Sequence, residues 1–173
     1  MRIPRLYSPQ LLPLEQIITL EAAASHYIGK VLRMQEKQEV IIFNGLAEQV
    51  SAHITSISKK YVCVFVNSYL PGPPASSLHT HLGQVMSRGE RMDYAIQKAT
   101  ELGVNEITPL FSNRCEVKLD AARQAKRLTH WQQIAISACE QSGRIDIPHI
   151  YPPTLLNDWL EHTQAQSKLV LHP

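Results

Sequence analysis

The sequence predicts an α+β protein in two parts, a small antiparallel β-barrel or sheet followed by a parallel α/β sheet. Three observations predict it. Strand-like runs follow one another as EVIIFNG from Glu39, AEQVSAHITSIS from Ala47 and YVCVFVNSYL from Tyr61, with polar alternation in the middle one. The stretch LPGPPASS, Leu70 to Ser77, cannot continue a β ladder and solvates easily, so it reads as a boundary. Beyond it, Gln84 to Arg114 reads as strand end, helix, turn and strand, a βαβ crossover whose ligand position is the carboxyl edge of the sheet. The expected division is residues 1–71 for the β unit, 72–77 for the linker and 78–173 for the α/β unit.

The first unit is justified element by element. Arg2 to Tyr7 alternates weakly and suits an edge strand, where Pro4 is tolerated and Arg5 is exposed. Gln16 to Leu20 reads as a short strand. Glu21 to Met34 has helical character, with Ala24, Ile28, Val31 and Leu32 on its apolar face and Lys30 and Arg33 free to reach solvent or a phosphate. Asn44-Gly45 signals a hairpin because both residues accept positive φ, and Lys59-Lys60 marks the next reversal. His53 falls on the middle strand as a surface histidine.

In the second unit Leu78 to Val85 alternates as a strand. His79 and His81 share one strand face and invite a metal reading, but no third ligand is apparent. Met92, Ala95, Ile96, Ala99 and Leu102 form a helical stripe, Gly103 suits a left-handed stop, and Val104 to Leu110 runs on as a strand. Ser112, Asn113 and Arg114 should then emerge at the carboxyl edge. Asp120 to Ser142 is a long amphipathic helix with Asp120 as N-cap, a stripe of Leu128, Trp131, Ala135 and Ala138, and Gly143 as its stop. Strand, short helix and strand follow at Ile145–Ile150, Thr154–His162 and Lys168–Leu171.

Composition narrows the function classes. Basic and acidic residues number seven against five before Ser76 and ten against ten after it, so any nucleic-acid site is a local patch, the best being Arg114 to Arg127. Three widely spaced cysteines with no CxxC pair argue for a reducing compartment and against a zinc ribbon. No signal peptide or membrane-length apolar run is present, which fits a cytoplasmic protein. Glycine-rich phosphate loops and the GxSxG elbow are missing. What remains is a basic, polar cluster of Arg88, Arg114, Gln141 and Arg144 beside a small β unit, suited to an anionic or nucleic-acid substrate.

In order, MRIPRLY, HYIGKVLRM, HLGQVMSRGERMDYAIQKATELGV, ITPLFSNRC, WQQIAISACEQSGR and LVLHP resemble the RsmE family from Met1 to Pro173. The family comprises SPOUT-type methyltransferases acting on N3 of a uridine in 16S ribosomal RNA. The resemblance implies an N-terminal PUA-like RNA-binding barrel, a C-terminal α/β SPOUT domain of the trefoil-knot type, S-adenosylmethionine as cofactor without a metal, the small ribosomal subunit as partner, and a homodimer. Family members continue beyond the position of Pro173 into a Gly-Pro-Glu-Gly-Gly stretch and a later Arg-x-Glu-Thr segment that form the knot. The SPOUT domain is therefore expected to be incomplete in this chain and the chain inactive by itself, with Leu171, His172 and Pro173 matching the first cofactor loop. The alternative is a non-catalytic RNA-binding module.

By the same resemblance the sulfonium methyl passes in line to N3 of uracil, whose proton a base must take or whose anion a cation must stabilise. Arg114 and Arg144 are assigned the stabilising role, and Glu140 or Glu101 could be the base. A Lys98–Glu101 pair on one helix is the plainer reading of Glu101. Arg5, Lys30 and Arg33 on the β unit are expected to hold RNA backbone, with Arg88 and Gln141 on the substrate side.

Overall fold

The computed structural model describes residues 3–74, 76–113 and 120–171. Strands β1 (Arg5–Tyr7), β2 (Ile17–Thr19), β3 (Glu39–Phe43), β4 (Gln49–Ile57) and β5 (Val62–Tyr69) form one sheet in the order β1-β3-β4-β5-β2. All neighbours are antiparallel except β1 on β3. Alternation drives it: Val40 and Ile42, Val50, Ala52 and Ile54, and Val62, Val64 and Val66 point to one side and are buried together with Leu6, Leu20 and Ile28. As expected, β1 is an edge strand. It pairs only with β3, and β2 only with β5, so among the described residues the sheet is not closed by a ladder between its two edges.

The β3–β4 hairpin forms where Asn44-Gly45 marks it, but by different chemistry. Gly45 has φ 78° and Ala47 φ 65°, while the Asn44 side chain accepts the Leu46 N–H at 2.9 Å and donates to Glu48 at 2.7 Å. Where one helix was expected, α1 (Ala22–His26) passes into a π-helical turn over Tyr27–Val31. The wider turn rotates the apolar stripe: Ala24 and Ile28 stay buried, whereas Val31 is 58% exposed. Arg33 then takes φ 51° and ends the segment.

The second sheet is parallel. Strands β6 (His81–Val85), β7 (Glu106–Phe111) and β8 (His149–Ile150) lie side by side, and β9 (Thr154–Leu155) pairs with β7 beyond β8. β8 and β9 thus form one line along β7, interrupted at Pro152-Pro153, which have no N–H to give to a ladder. Helix α2 (Glu90–Glu101) crosses from β6 to β7, and α3 (Ala121–Ser142) from β7 to β8. Met92, Ile96, Trp131 and Ala135 pack onto Ile107 and Ile150 beneath them.

Cap readings hold at both ends of α3. Asp120 accepts the Arg123 N–H at 2.8 Å, and Gly143 at φ 87° closes the helix. Leu102, by contrast, is 88% exposed, because α2 ends at Glu101 and the chain turns there through Gly103. Helix α4 (Leu156–His162) covers the opposite face of the sheet. No strand forms at Lys168–Leu171, where Leu169, Val170 and Leu171 are 91, 85 and 93% exposed.

Candidate functional site

In a βαβ unit the residues after each strand define the carboxyl edge. Arg88, between β6 and α2, lies there and is exposed, and Gly89 with φ 64° leads into α2 without a side-chain cap. Ser112 and Asn113 follow β7 at the same edge, and Arg114 lies outside the described residues, as do His172 and Pro173. Leu171 is exposed. Lys30 and Arg33 are exposed at the end of the π-helical turn, where they can meet a polyanion.

Arg144 is elsewhere. Its Nη1 donates to the Thr100 carbonyl at 3.0 Å, in the last turn of α2. Arg88 precedes the first turn of that helix, and twelve residues at about 1.5 Å each make roughly 18 Å between the ends. Of the expected cluster of Arg88, Arg114, Gln141 and Arg144, Arg88 is therefore parted from Gln141 and Arg144, which lie at the amino end of the strands. The cause is the crossover itself, which returns each helix to the opposite edge.

At that amino end the two sheets meet. Arg5 is half-buried rather than exposed: Nη1 donates to Gln49 Oε1 at 2.6 Å, Nη2 to the Arg144 carbonyl at 3.2 Å, and the guanidinium lies 5.2 Å from the centre of the Phe43 ring. The Tyr7 N–H donates to Glu140 Oε1 at 3.1 Å. Asp146 bridges to Gly45 and Leu46. Phe43, Cys139 and Ile145 form a small buried cluster beneath, with Tyr7 and Ile147 against it.

Arg144 itself is 9% exposed; Nε and Nη2 donate to Asp146 Oδ2 at 3.1 and 2.6 Å. The guanidinium is thus engaged by the Asp146 carboxylate and the Thr100 carbonyl, within the junction rather than at the carboxyl edge. Burial raises the Glu140 carboxyl above the usual glutamate range, against the Tyr7 N–H and the Arg5 charge, which lower it. A raised carboxyl suits a base, but Glu140 sits at the sheet junction, away from the carboxyl edge. Glu101 takes its plainer reading: Lys98 Nζ donates to it at 2.7 Å and Gln97 at 2.8 Å, and these bonds hold its carboxyl below the ordinary value.

Sequence reasoning missed Gln49, Thr100 and Asp146, the partners that fix Arg5 and Arg144. Asp146 stands two residues from Arg144 and could have been paired with it, while Gln49 and Thr100 carry no local signal.

A polar row crosses the other face of the parallel sheet. His81, Glu106 and His149 are register partners on β6, β7 and β8. His81 Nδ1 lies 3.1 Å from Glu106 Oε2, and its Nε2 2.8 Å from Thr108 Oγ1. Burial lowers the His81 pKa, Glu106 pulling it back up and His79 pushing it further down. A cavity of about 470 Å³ opens here, lined by His81, Glu106, Thr108, Tyr151 and Trp159. Among the described residues no group of three or more His, Cys, Asp or Glu is placed to hold a metal ion.

Residues 74–173 match the family model for an RNA methyltransferase domain, and residues 20–66 that for an RNA methyltransferase PUA domain. The class is thus an RNA methyltransferase carrying a PUA-type β unit. The chain is 39% identical over 173 residues to ribosomal RNA small subunit methyltransferase E of Buchnera aphidicola subsp. Schizaphis graminum, covering 99% of this chain and 70% of that protein. The structure of a Legionella pneumophila methyltransferase in complex with the cofactor SAM superposes with TM-score 0.96 at 39% identity, over 100% of this chain and 72% of that one. The Neisseria gonorrhoeae ribosomal RNA small subunit methyltransferase E bound to S-adenosyl methionine gives 0.89 at 35% identity, over 95% and 67%. The chain belongs to the ribosomal RNA small subunit methyltransferase E family.

Proposed function

We propose that this chain serves S-adenosylmethionine-dependent methylation of N3 of a uridine in 16S rRNA of the small ribosomal subunit, in the cytoplasm and as a homodimer. The observation that carries the reading is the 39% identity that extends over 99% of the chain, and so through both the β unit and the α/β unit, since a shared PUA element or a shared α/β element alone would leave the substrate open. We further infer that the two units divide within residues 72–77, the proline-rich stretch between the sheets, and that the second unit is of the SPOUT type.

Leu171, with His172 and Pro173, matches the family's first cofactor loop. Leu169–Leu171 form an exposed apolar run, and the assignment of Leu171, His172 and Pro173 to the cofactor side rests on the family match. When bound, S-adenosylmethionine supplies an electrophilic methyl on a sulfonium leaving group. On the RNA side, Lys30 and Arg33 hold backbone phosphates, which offsets part of the few kcal/mol needed to draw a base out of its stack. Arg88 lies at the carboxyl edge, where a permanent cation stabilises the anion left when N3 loses its proton, and Arg114, next in sequence after Asn113, is assigned the same role.

Disrupting the gene that encodes this chain and measuring nucleosides of purified 16S rRNA by mass spectrometry tests the reading. 3-Methyluridine should disappear and return on complementation; its persistence in the disrupted strain would sink the proposal.

A further inference from the structure

The junction between the sheets is built more specifically than two neighbouring surfaces require. Arg144 ties the segment before β8 to two other elements, α2 and β1, with one side chain and its own carbonyl. The guanidinium holds the last turn of α2 through the Thr100 carbonyl and the segment before β8 through Asp146, while the carbonyl receives Arg5 from β1. Arg5 in turn grips Gln49 on β4, whose Nε2 donates to the Pro71 carbonyl at 2.7 Å, where the first sheet hands over to the proline-rich stretch. The two sheets are thereby joined through side chains at the same place where the chain leaves the first of them.

Close backbone approach reinforces this joint. A Cβ on Gly72 would collide with Ile145, and one on Gly45 would crowd Tyr7 at 3.1 Å and Ile147 at 3.2 Å. Planar guanidinium groups with several fixed donors resist rotation in a way that single lysine contacts do not. The polar partners sit over the apolar cluster of Phe43, Cys139 and Ile145, where water competes poorly for their hydrogen bonds. Helix α2 connects this joint to Arg88 and Gly89 at the carboxyl edge, so a tilt of the first sheet moves it relative to the edge where chemistry is proposed.

We propose that Arg5 and Arg144 are positioning residues for methyl transfer: together with Gln49, Glu140 and Asp146 they lock the orientation of the RNA-binding sheet relative to the methyltransferase sheet. The inference rests on the proposed function for its catalytic consequence, and on geometry alone for the lock. A target base must arrive at a fixed point while its backbone is held on another sheet. Misplacement of that geometry costs turnover rather than binding, and a shift of about 1 Å can cost on the order of a hundredfold.

Arg5→Met is the first variant, because it keeps an apolar stem over Phe43 while removing the hydrogen bonds to Gln49 and the Arg144 carbonyl from an edge strand. Arg144→Met is the second, and it cuts the joint at its centre. Small-angle scattering reads the lock directly: both variants should give a larger radius of gyration than the parent chain while circular dichroism still reports the folded state. Methylation kinetics, measured on parent and variants that also carry the family's C-terminal segment, read the consequence: kcat should fall by about tenfold or more, with the dissociation constants for S-adenosylmethionine and for small subunits unchanged.

Unchanged scattering in folded variants overturns the lock. Unchanged kcat in a variant whose scattering has changed overturns the positioning role. An equal loss of cofactor binding, RNA binding and turnover would also overturn it, by indicating general destabilisation. A parent that methylates nothing even with the family's C-terminal segment restored counts against the proposed function instead, and scattering then decides the lock by itself.

Discussion

Cys139 lies where the two sheets press together, fully buried, with its Sγ–H donating to the Asp146 carbonyl at 3.5 Å. Burial pushes its thiol up to about 12, the Arg144 charge working in the opposite direction. At neutral pH it is therefore a thiol with almost no thiolate, and the thiolate is the reactive form. Brief iodoacetamide treatment of the native protein should leave Cys139 unmodified in peptide mass spectra while labelling half-exposed Cys63, and Cys139 should be labelled in urea. Native labelling of Cys139 at the rate of Cys63 would show that the junction opens. Individual residues were legible in the sequence only when their partners were local. Asp120 and Gly143 could be read as caps because caps act within one turn, whereas Arg144 and Glu140 could be read only as polar groups near a helix end. What fixed their roles was Thr100, Tyr7 and Arg5, up to 139 positions away in sequence, and no periodicity marks such pairs.

Elements were legible where apolar periodicity was long, as in α2, α3 and the three long strands of the first sheet, and less so where backbone geometry was irregular. The π-helical turn at Tyr27–Val31 keeps a helix-like pattern but exposes Val31, and the two prolines divide what could have been one strand into β8 and β9. Helix α4 depends on a feature invisible to pattern reading, the absence of a side chain at Gly83. A Cβ there would meet the Trp159 ring at 2.6 and 2.7 Å and Leu110 at 2.9 Å, and Leu110 is itself fully buried. Gly83→Ala should therefore displace α4 from the sheet. Overpacking of this kind costs about 1–3 kcal/mol, and for a chain of this size each kcal/mol lowers the thermal midpoint by about 2–4 °C. Calorimetry would show the fall, and Trp159 fluorescence should shift toward that of a solvated indole. An unchanged midpoint would mean that α4 slides freely over β6.

Across the whole molecule, each sheet has its own apolar core, and among the described residues the junction between them holds the most deeply buried charge, Arg144. That makes the coupling of the sheets sensitive to pH. Folded Glu140 holds its proton more tightly than an unfolded glutamate near 4.5, because desolvation outweighs the Tyr7 N–H and Arg5. Between 4.5 and the raised value the folded state carries the extra proton, so this group's stabilising contribution is fully present below 4.5 and is lost as pH rises through the raised value. Glu140→Gln keeps an oxygen to accept the Tyr7 N–H and removes the titration. In urea denaturation over a pH series, the parent chain should lose stability relative to the variant as pH climbs through that window, and the difference should flatten above it. His81 contributes in the opposite direction, since its lowered pKa favours folding as pH rises, but it is present in both proteins and cancels in the comparison. Parallel profiles would mean that Glu140 does not titrate between the folded and unfolded states. A parent that instead gains stability relative to the variant as pH rises would mean that the carboxyl is stabilised as an anion, and would then place Arg5 above burial as the dominant influence at the joint.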